Sequence, residues 1–118
     1  MPNEHRRADR VAEAIREEIA TFLAEEAKDP RITRLVTVTG VEVTRDLRHA
    51  KVFVSVLGSE EERSATMDGL ASAHGVLQAA VNRELRMKRT PTLDFVYDDT
   101  AERADRLERM LADMEHPS

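Results

Sequence analysis

The run MDGLASAHGVLQAAVNREL, residues 67–85, carries the choice on which the fold turns. Met67, Leu70 and Ala71 lead through Ala73-His74-Gly75 into Val76, Leu77, Ala80, Val81 and Leu85 without losing the helical period, which continues to about Lys88. A glycine inside a helix costs about 1 kcal/mol relative to alanine. Either one long helix tolerates Gly75, or two helices meet there at an angle. Periodicity leaves both open.

Working outward, Ser59 followed by Glu62 has the spacing of a capping box, so the helix starts at about Glu60. Before it, Leu35 to Thr44 is rich in Val and Thr, and Ala50, Val52, Val54 and Val56 alternate with Lys51, Phe53 and Ser55. These are two strands of a hairpin, joined by Arg45-Asp46-Leu47-Arg48. Val36 and Val38 share one phase while Val41 and Val43 share the other, which predicts a bulge or bend at Gly40. Near the start, Val11, Ile15, Ile19 and Phe22 form the stripe of a helix from about Glu4 to about Ala27, stopped by Asp29-Pro30.

Downstream, Thr90-Pro91 ends the long helical run, and Leu93, Phe95 and Tyr97 alternate as a third strand. Asp99 or Thr100 caps a last helix with Ala104, Leu107, Leu111 and Met114 on its inner face. With both helices of the central run counted, the order is α-β-β-α-α-β-α, and no internal repeat interrupts it.

Composition narrows the function. At 118 residues, 41% apolar and 35% charged, the chain has room for one domain with one core. The absence of cysteine excludes a disulfide framework, a zinc-cysteine site and a thiol nucleophile, and suits a reducing compartment. The polar start and the lack of a long apolar run point to a cytoplasmic protein without a membrane partner.

The net charge of −5 argues against simple polyanion binding, but it is unevenly spread. Residues 31–51 and 71–93 each carry +3, whereas 52–70 carry −3 and 94–118 carry −5. Such polarity fits a protein that docks on phosphate in one orientation. Charge alone favours the plainer reading of a solvated surface with uneven charge.

No chemistry-bearing motif competes. His5, His49, His74 and His116 fall at no metal-ligand spacing, four scattered glycines make no phosphate loop, and no nucleophile elbow is present. Glu60-Glu61 and Asp98-Asp99 sit where helix starts favour negative charge, so they read as caps rather than catalytic dyads. Aromatics are Phe22, Phe53, Phe95 and Tyr97, three of them expected in the core, which disfavours a stacking platform for bases. What remains is basic surface: Arg45, Arg48, His49 and Lys51 at the hairpin turn, and Arg83, Arg86, Lys88 and Arg89 at the end of the third helix. The second group serves equally as a C-terminal cap, and binding needs the two groups to converge in space.

Several segments, in order, carry a resemblance. They are Arg10-Val11-x-Glu13-x-Ile15, Asp29-Pro30-Arg31, Val36-Thr37-Val38-Thr39-x-Val41-Glu42-Val43, Arg45-Asp46-Leu47 and Ala50-Lys51-Val52-Phe53-Val54-Ser55-Val56. Arg83-x-Leu85-x-Met87-Lys88-x-Thr90-Pro91-x-Leu93-x-Phe95, then Asp98 and Asp99, complete the set. Together, from about Arg6 to about Leu111, they resemble bacterial ribosome-binding factor A.

The resemblance implies an α+β fold: a type II KH-like domain of α-β-β-α-(kink)-α-β-α order, with a three-stranded mixed sheet backed by helices. It implies one domain over residues 1–118, with a core from about 6 to 111. KH domains grip single strands with a Gly-x-x-Gly loop; Ala73-His74-Gly75 matches the kink that this family carries instead, which favours the broken helix. Function follows as a non-catalytic assembly factor that binds immature 30S small ribosomal subunits, supports 16S rRNA processing and leaves before translation. Family members are linked to growth in the cold and to release by an assembly GTPase.

Partners implied are the 30S subunit and 16S rRNA, with ribosomal proteins and the GTPase beside them; the chain is expected to be a monomer without cofactor or metal. Arg31, Arg45, Arg48, Lys51, Arg83, Arg86, Lys88 and Arg89 are the expected RNA or ribosome contacts. Ala73, His74 and Gly75 set the angle between helices, with His74 read first as a half-buried helix residue and second as an RNA contact. The acidic end, in place of the basic tail common in the family, puts tail-dependent contacts in doubt. The rival reading is a protein-interaction module that uses the sheet edge or last helix without touching RNA, supported by the net charge of −5.

Overall fold

A computed structural model describes residues 2–25 and 36–115. Its elements are α1 (Pro2–Glu25), β1 (Val36–Val43), β2 (His49–Val56), α2 (Glu60–Ser72), α3 (His74–Leu85), β3 (Thr92–Tyr97) and α4 (Thr100–Glu115). The strands form one sheet of order β1-β2-β3, antiparallel between β1 and β2 and parallel between β2 and β3. This is the α+β, KH-like arrangement with a mixed three-stranded sheet that the family resemblance implied. The expected Asp29-Pro30 stop and Arg31 lie outside the described residues.

The central strand explains where the core sits. Ala50, Val52 and Val54 of β2 are fully buried and face Ile15 and Ile19 of α1, Leu70 of α2, and Leu77 and Val81 of α3. Each of these Val, Ile and Leu side chains contributes roughly 1.5–3 kcal/mol on leaving water, which favours packing the three strands under three helices. On β1 the register pairs Val38 with Val54 but Gly40 with Phe53, so Thr39 is the extra residue. That bulge returns Val41 and Val43 to the core side and accounts for the phase change at Gly40.

The capping box is present: Ser59 Oγ accepts the Glu62 amide at 3.1 Å and Glu62 Oε1 accepts the Ser59 amide at 2.9 Å. Gly58 precedes it at φ 147°, where a side chain would be strained and would press on Glu62.

The central run is two helices. Ala73 alone joins them, at φ −86° and ψ 1°; its amide donates to Gly69 O at 2.9 Å and its carbonyl accepts from Leu77 N at 3.0 Å. The break therefore sits in the backbone of Ala73. Gly75 lies in the first turn of α3, exposed, and an added methyl there would meet nothing within 4 Å. The second helix also stops earlier than its apolar period suggests. It ends at Leu85, and Arg86 caps it in the left-handed region (φ 51°, ψ 33°), a conformation the sequence does not signal because no glycine stands there.

Two further expectations are corrected. Ala104, Leu107, Leu111 and Met114 do not form an inner face, since no residue of α4 is buried. Of the four aromatics, Phe22 is buried and Phe95 packs against the core, while Phe53 and Tyr97 are half-buried outside it.

Candidate nucleic-acid interface

The hairpin turn is built around a carboxylate. Leu47 donates its amide to Thr44 O at 2.9 Å and sits at φ 60°. Asp46 Oδ1 accepts the Thr44 hydroxyl at 2.6 Å and the Arg48 amide at 3.1 Å. Those two bonds, the hydroxyl first, hold the Asp46 carboxyl below its ordinary pKa. The turn is thus fixed where Arg48 leaves it, and Arg48 Nε lies 4.0 Å from Asp46 Oδ2.

The parallel pairing of β3 brings the second basic segment to the same place. Thr92 N donates to Arg48 O at 2.8 Å, so the chain running from α3 into β3 passes beside the turn. Arg48, Lys88 and Arg89 then line one depression of about 410 Å³ with Asp46, Leu47, Met87 and Arg7 from α1. Four cations surround one carboxylate, a local excess of +3 on side chains that are all exposed. A second cavity of about 590 Å³ adjoins it through Arg7 and Met87, adds Arg10, and turns acidic at Glu17, Glu18 and Glu84.

The other expected contacts lie elsewhere. Arg45 is exposed in the turn but does not line the depression. Lys51 is exposed on the sheet with Glu42 and Asp94 as its register partners, so its row is locally acidic. Arg83 is exposed in the last turn of α3, where it complements the helix dipole, and Arg86 is the cap. Arg7 is the residue that sequence reasoning left out. Its only linear signal is its place outside the apolar stripe of α1; nothing in the sequence says that this helix start lies against the turn.

Of the kink residues, His74 serves the sheet edge. His74 Nε2 donates to Leu93 O at 2.9 Å, and its ring meets Phe95 edge-on at 6.5 Å. Gln78, one turn on, accepts from Leu93 N at 2.9 Å and donates to Pro91 O at 2.9 Å. Together they satisfy backbone groups on the outer edge of β3, which would otherwise invite strand pairing. Among the described residues, no group of three His, Asp or Glu side chains is placed to hold a metal ion.

At the far end of β3, Arg63 stacks over Tyr97 at 4.7 Å and the Tyr97 hydroxyl donates to Glu102. Donation to that carboxylate pushes the Tyr97 hydroxyl pKa up and the Glu102 pKa down. Asp98 accepts both the hydroxyl and the amide of Thr100, and the Thr39 hydroxyl at 2.7 Å. These bonds, Thr100 first, hold its carboxyl at about 2. No helix of the described residues is long and apolar enough to cross a membrane.

Comparison with known proteins gives a consistent result. The family profile described as ribosome-binding factor A matches residues 7–111. The ribosome-binding factor A of Gemmatimonas aurantiaca is 55% identical over 109 residues, covering 92% of this chain and 75% of that protein. That of Anaeromyxobacter dehalogenans strain 2CP-C is 50% identical over 107 residues, covering 91% and 78%. Among solved structures, the crystal structure of ribosome-binding factor A from Thermus thermophilus superimposes with a TM-score of 0.59 at 30% identity, over 80% of this chain and 93% of that one. A homology model of the Thermus thermophilus factor, fitted into a cryo-electron-microscopy map of a complex of the 30S subunit with that factor, gives 0.56 at 30% identity, over 78% and 91%.

Proposed function

The chain belongs to the ribosome-binding factor A family, and from that premise we propose that it binds the 30S small ribosomal subunit by setting its basic corner against 16S rRNA phosphates. The observation that carries the reading is the convergence of Arg7, Arg48, Lys88 and Arg89, from three separate segments, on one exposed depression. Cations held on a fixed turn and a strand entry suit backbone contacts on folded RNA, which position a protein without reading sequence. Arg10 extends the path along α1. Arg45 and Arg83 act at its margin, and Lys51 contributes least because Glu42 and Asp94 flank it.

In this reading residues 1–118 act as one ribosome-binding unit in the cytoplasm. It is a non-catalytic monomer that supports 16S rRNA maturation, with an assembly GTPase among its further partners. The kink at Ala73 to Gly75 is scaffold, because the His74 ring is already bonded to β3. Replacing Arg48, Lys88 and Arg89 together by glutamate is expected to weaken co-sedimentation with purified small subunits at low salt by about a hundredfold or more. The circular dichroism should stay unchanged, since all three side chains are exposed. Unaltered binding would sink the assignment of this corner.

A further inference from the structure

Helix α4 is amphipathic, yet none of its residues is buried. Leu107, Met110, Leu111 and Met114 are 56, 63, 50 and 75% exposed, and their i, i+3, i+4, i+7 spacing places them on one stripe. Single exposed apolar residues are ordinary on a soluble protein; a contiguous row of four on one helix face is the feature that calls for a covering partner.

The root of the helix is fixed. Glu102 accepts from Tyr97, Asp98 ties Thr100 to Thr39 of β1, and Arg103 pairs with Asp99 at 3.0 Å. Along the helix, Arg109 pairs with Asp105 at 3.0 Å. The stripe is therefore carried on a pinned helix, directed away from the core.

Charge decides what covers it. On the helical wheel Glu108 and Glu115, seven residues apart, run beside the stripe on one border, whereas Arg106 and Asp113 share the other, so a single border is acidic. Residues 98–115 hold seven acidic and three basic side chains. Phosphate backbones and anionic lipid surfaces are repelled by this net acidic helix, and an antiparallel second copy would set Glu108 and Glu115 against their own equivalents. A segment of opposite charge with its own apolar face satisfies both features at once, and the two methionines let the stripe adapt to it.

We propose that α4 is a docking helix for a cationic amphipathic segment of a protein partner. Leu107, Met110, Leu111 and Met114 make the apolar contact, and Glu108 and Glu115 pair with Lys or Arg at its margin. The proposal is independent of the RNA contact above, which uses the opposite charge at the other end of the sheet.

The test uses the full chain and no RNA. A fluorescent helical peptide of about 18 residues, with leucines on one stripe and Lys or Arg elsewhere, is titrated by anisotropy beside two controls. One control has the same composition scrambled off the stripe, and the other carries Glu in place of Lys and Arg. The cationic amphipathic peptide should bind about tenfold or more tighter than either control, and Leu107→Ser with Leu111→Ser should weaken it about tenfold. Glu108→Lys with Glu115→Lys should do the same, and both variants should keep the parent melting temperature. Equal binding of the controls, or indifference to the variants, overturns the proposal. So does sedimentation that shows the chain alone pairing through the stripe, or attachment of α4 to phosphatidylglycerol vesicles or to a single-stranded RNA.

Discussion

The two ends of the sheet are built alike and charged oppositely. Where β2 and β3 begin, the turn around Asp46 gathers Arg7, Arg48, Lys88 and Arg89. Where β3 ends, Asp98 fixes the start of α4, and residues 94–118 carry a charge of −5. A short-range carboxylate bond orders the backbone at each end: Asp46 to Thr44 and Arg48, Asp98 to Thr39 and Thr100. The lesson is that the net charge of −5 describes no actual surface of this molecule. In the proposed reading, binding follows from segregation of charge, since fields at a phosphate fall off within roughly 10 Å at ordinary salt and the acidic helix is not averaged into the basic corner.

The contrast can be broken first by asking what the acidic end does for the fold. Leu77→Ala, which empties a fully buried site on α3, should lower unfolding free energy by about 3 kcal/mol in urea titrations. Leu111→Ala on α4, where the side chain is half exposed, should cost less than about 0.5 kcal/mol. Similar losses would mean that α4 is packed, contrary to its exposure.

A smaller effect comes from the centre of the molecule, between the two ends. Gly75→Ala should raise stability by up to about 1 kcal/mol, because the position is helical, exposed and empty around the added methyl. Loss of stability would show that the kink depends on glycine after all. Loss of small-subunit binding without loss of stability would instead bring the kink into the interface.

The mildest prediction concerns acid. Asp98 falls from an ordinary 3.8 to about 2 in the folded chain, so its contribution is fully present above about pH 4 and disappears as pH drops towards 2. Asp98→Asn should flatten the acid limb of the stability profile in that window. An unchanged limb would detach Asp98 from the root of α4.

Much of this is legible in the sequence, and for local reasons. Ser59 and Glu62 state their own capping geometry, Gly40 marks the change of phase that the bulge produces, and Thr90-Pro91 separates α3 from β3. What cannot be read depends on neighbours far along the chain. A stripe such as Leu107 to Met114 has the same period whether it faces a core or solvent, so its pattern alone suggests an inner face that the fold does not provide. The basic segments are visible one by one, but their convergence needs β3 to run parallel to β2. Arg7 enters only because α1 begins beside the turn. Lys51 stands apart from Arg48 for the same reason, since cross-strand register sets it between two carboxylates.

The most direct test of the basic corner is the salt dependence of small-subunit affinity, read as the slope of log affinity against log salt concentration. Each phosphate contact adds roughly 0.7–0.9 to that slope. Arg48→Gln, Lys88→Gln and Arg89→Gln combined should therefore lower it by about 2 to 3, whereas Lys51→Gln should leave it nearly unchanged. A slope unmoved by the triple change, or moved as far by Lys51→Gln alone, would contradict the account.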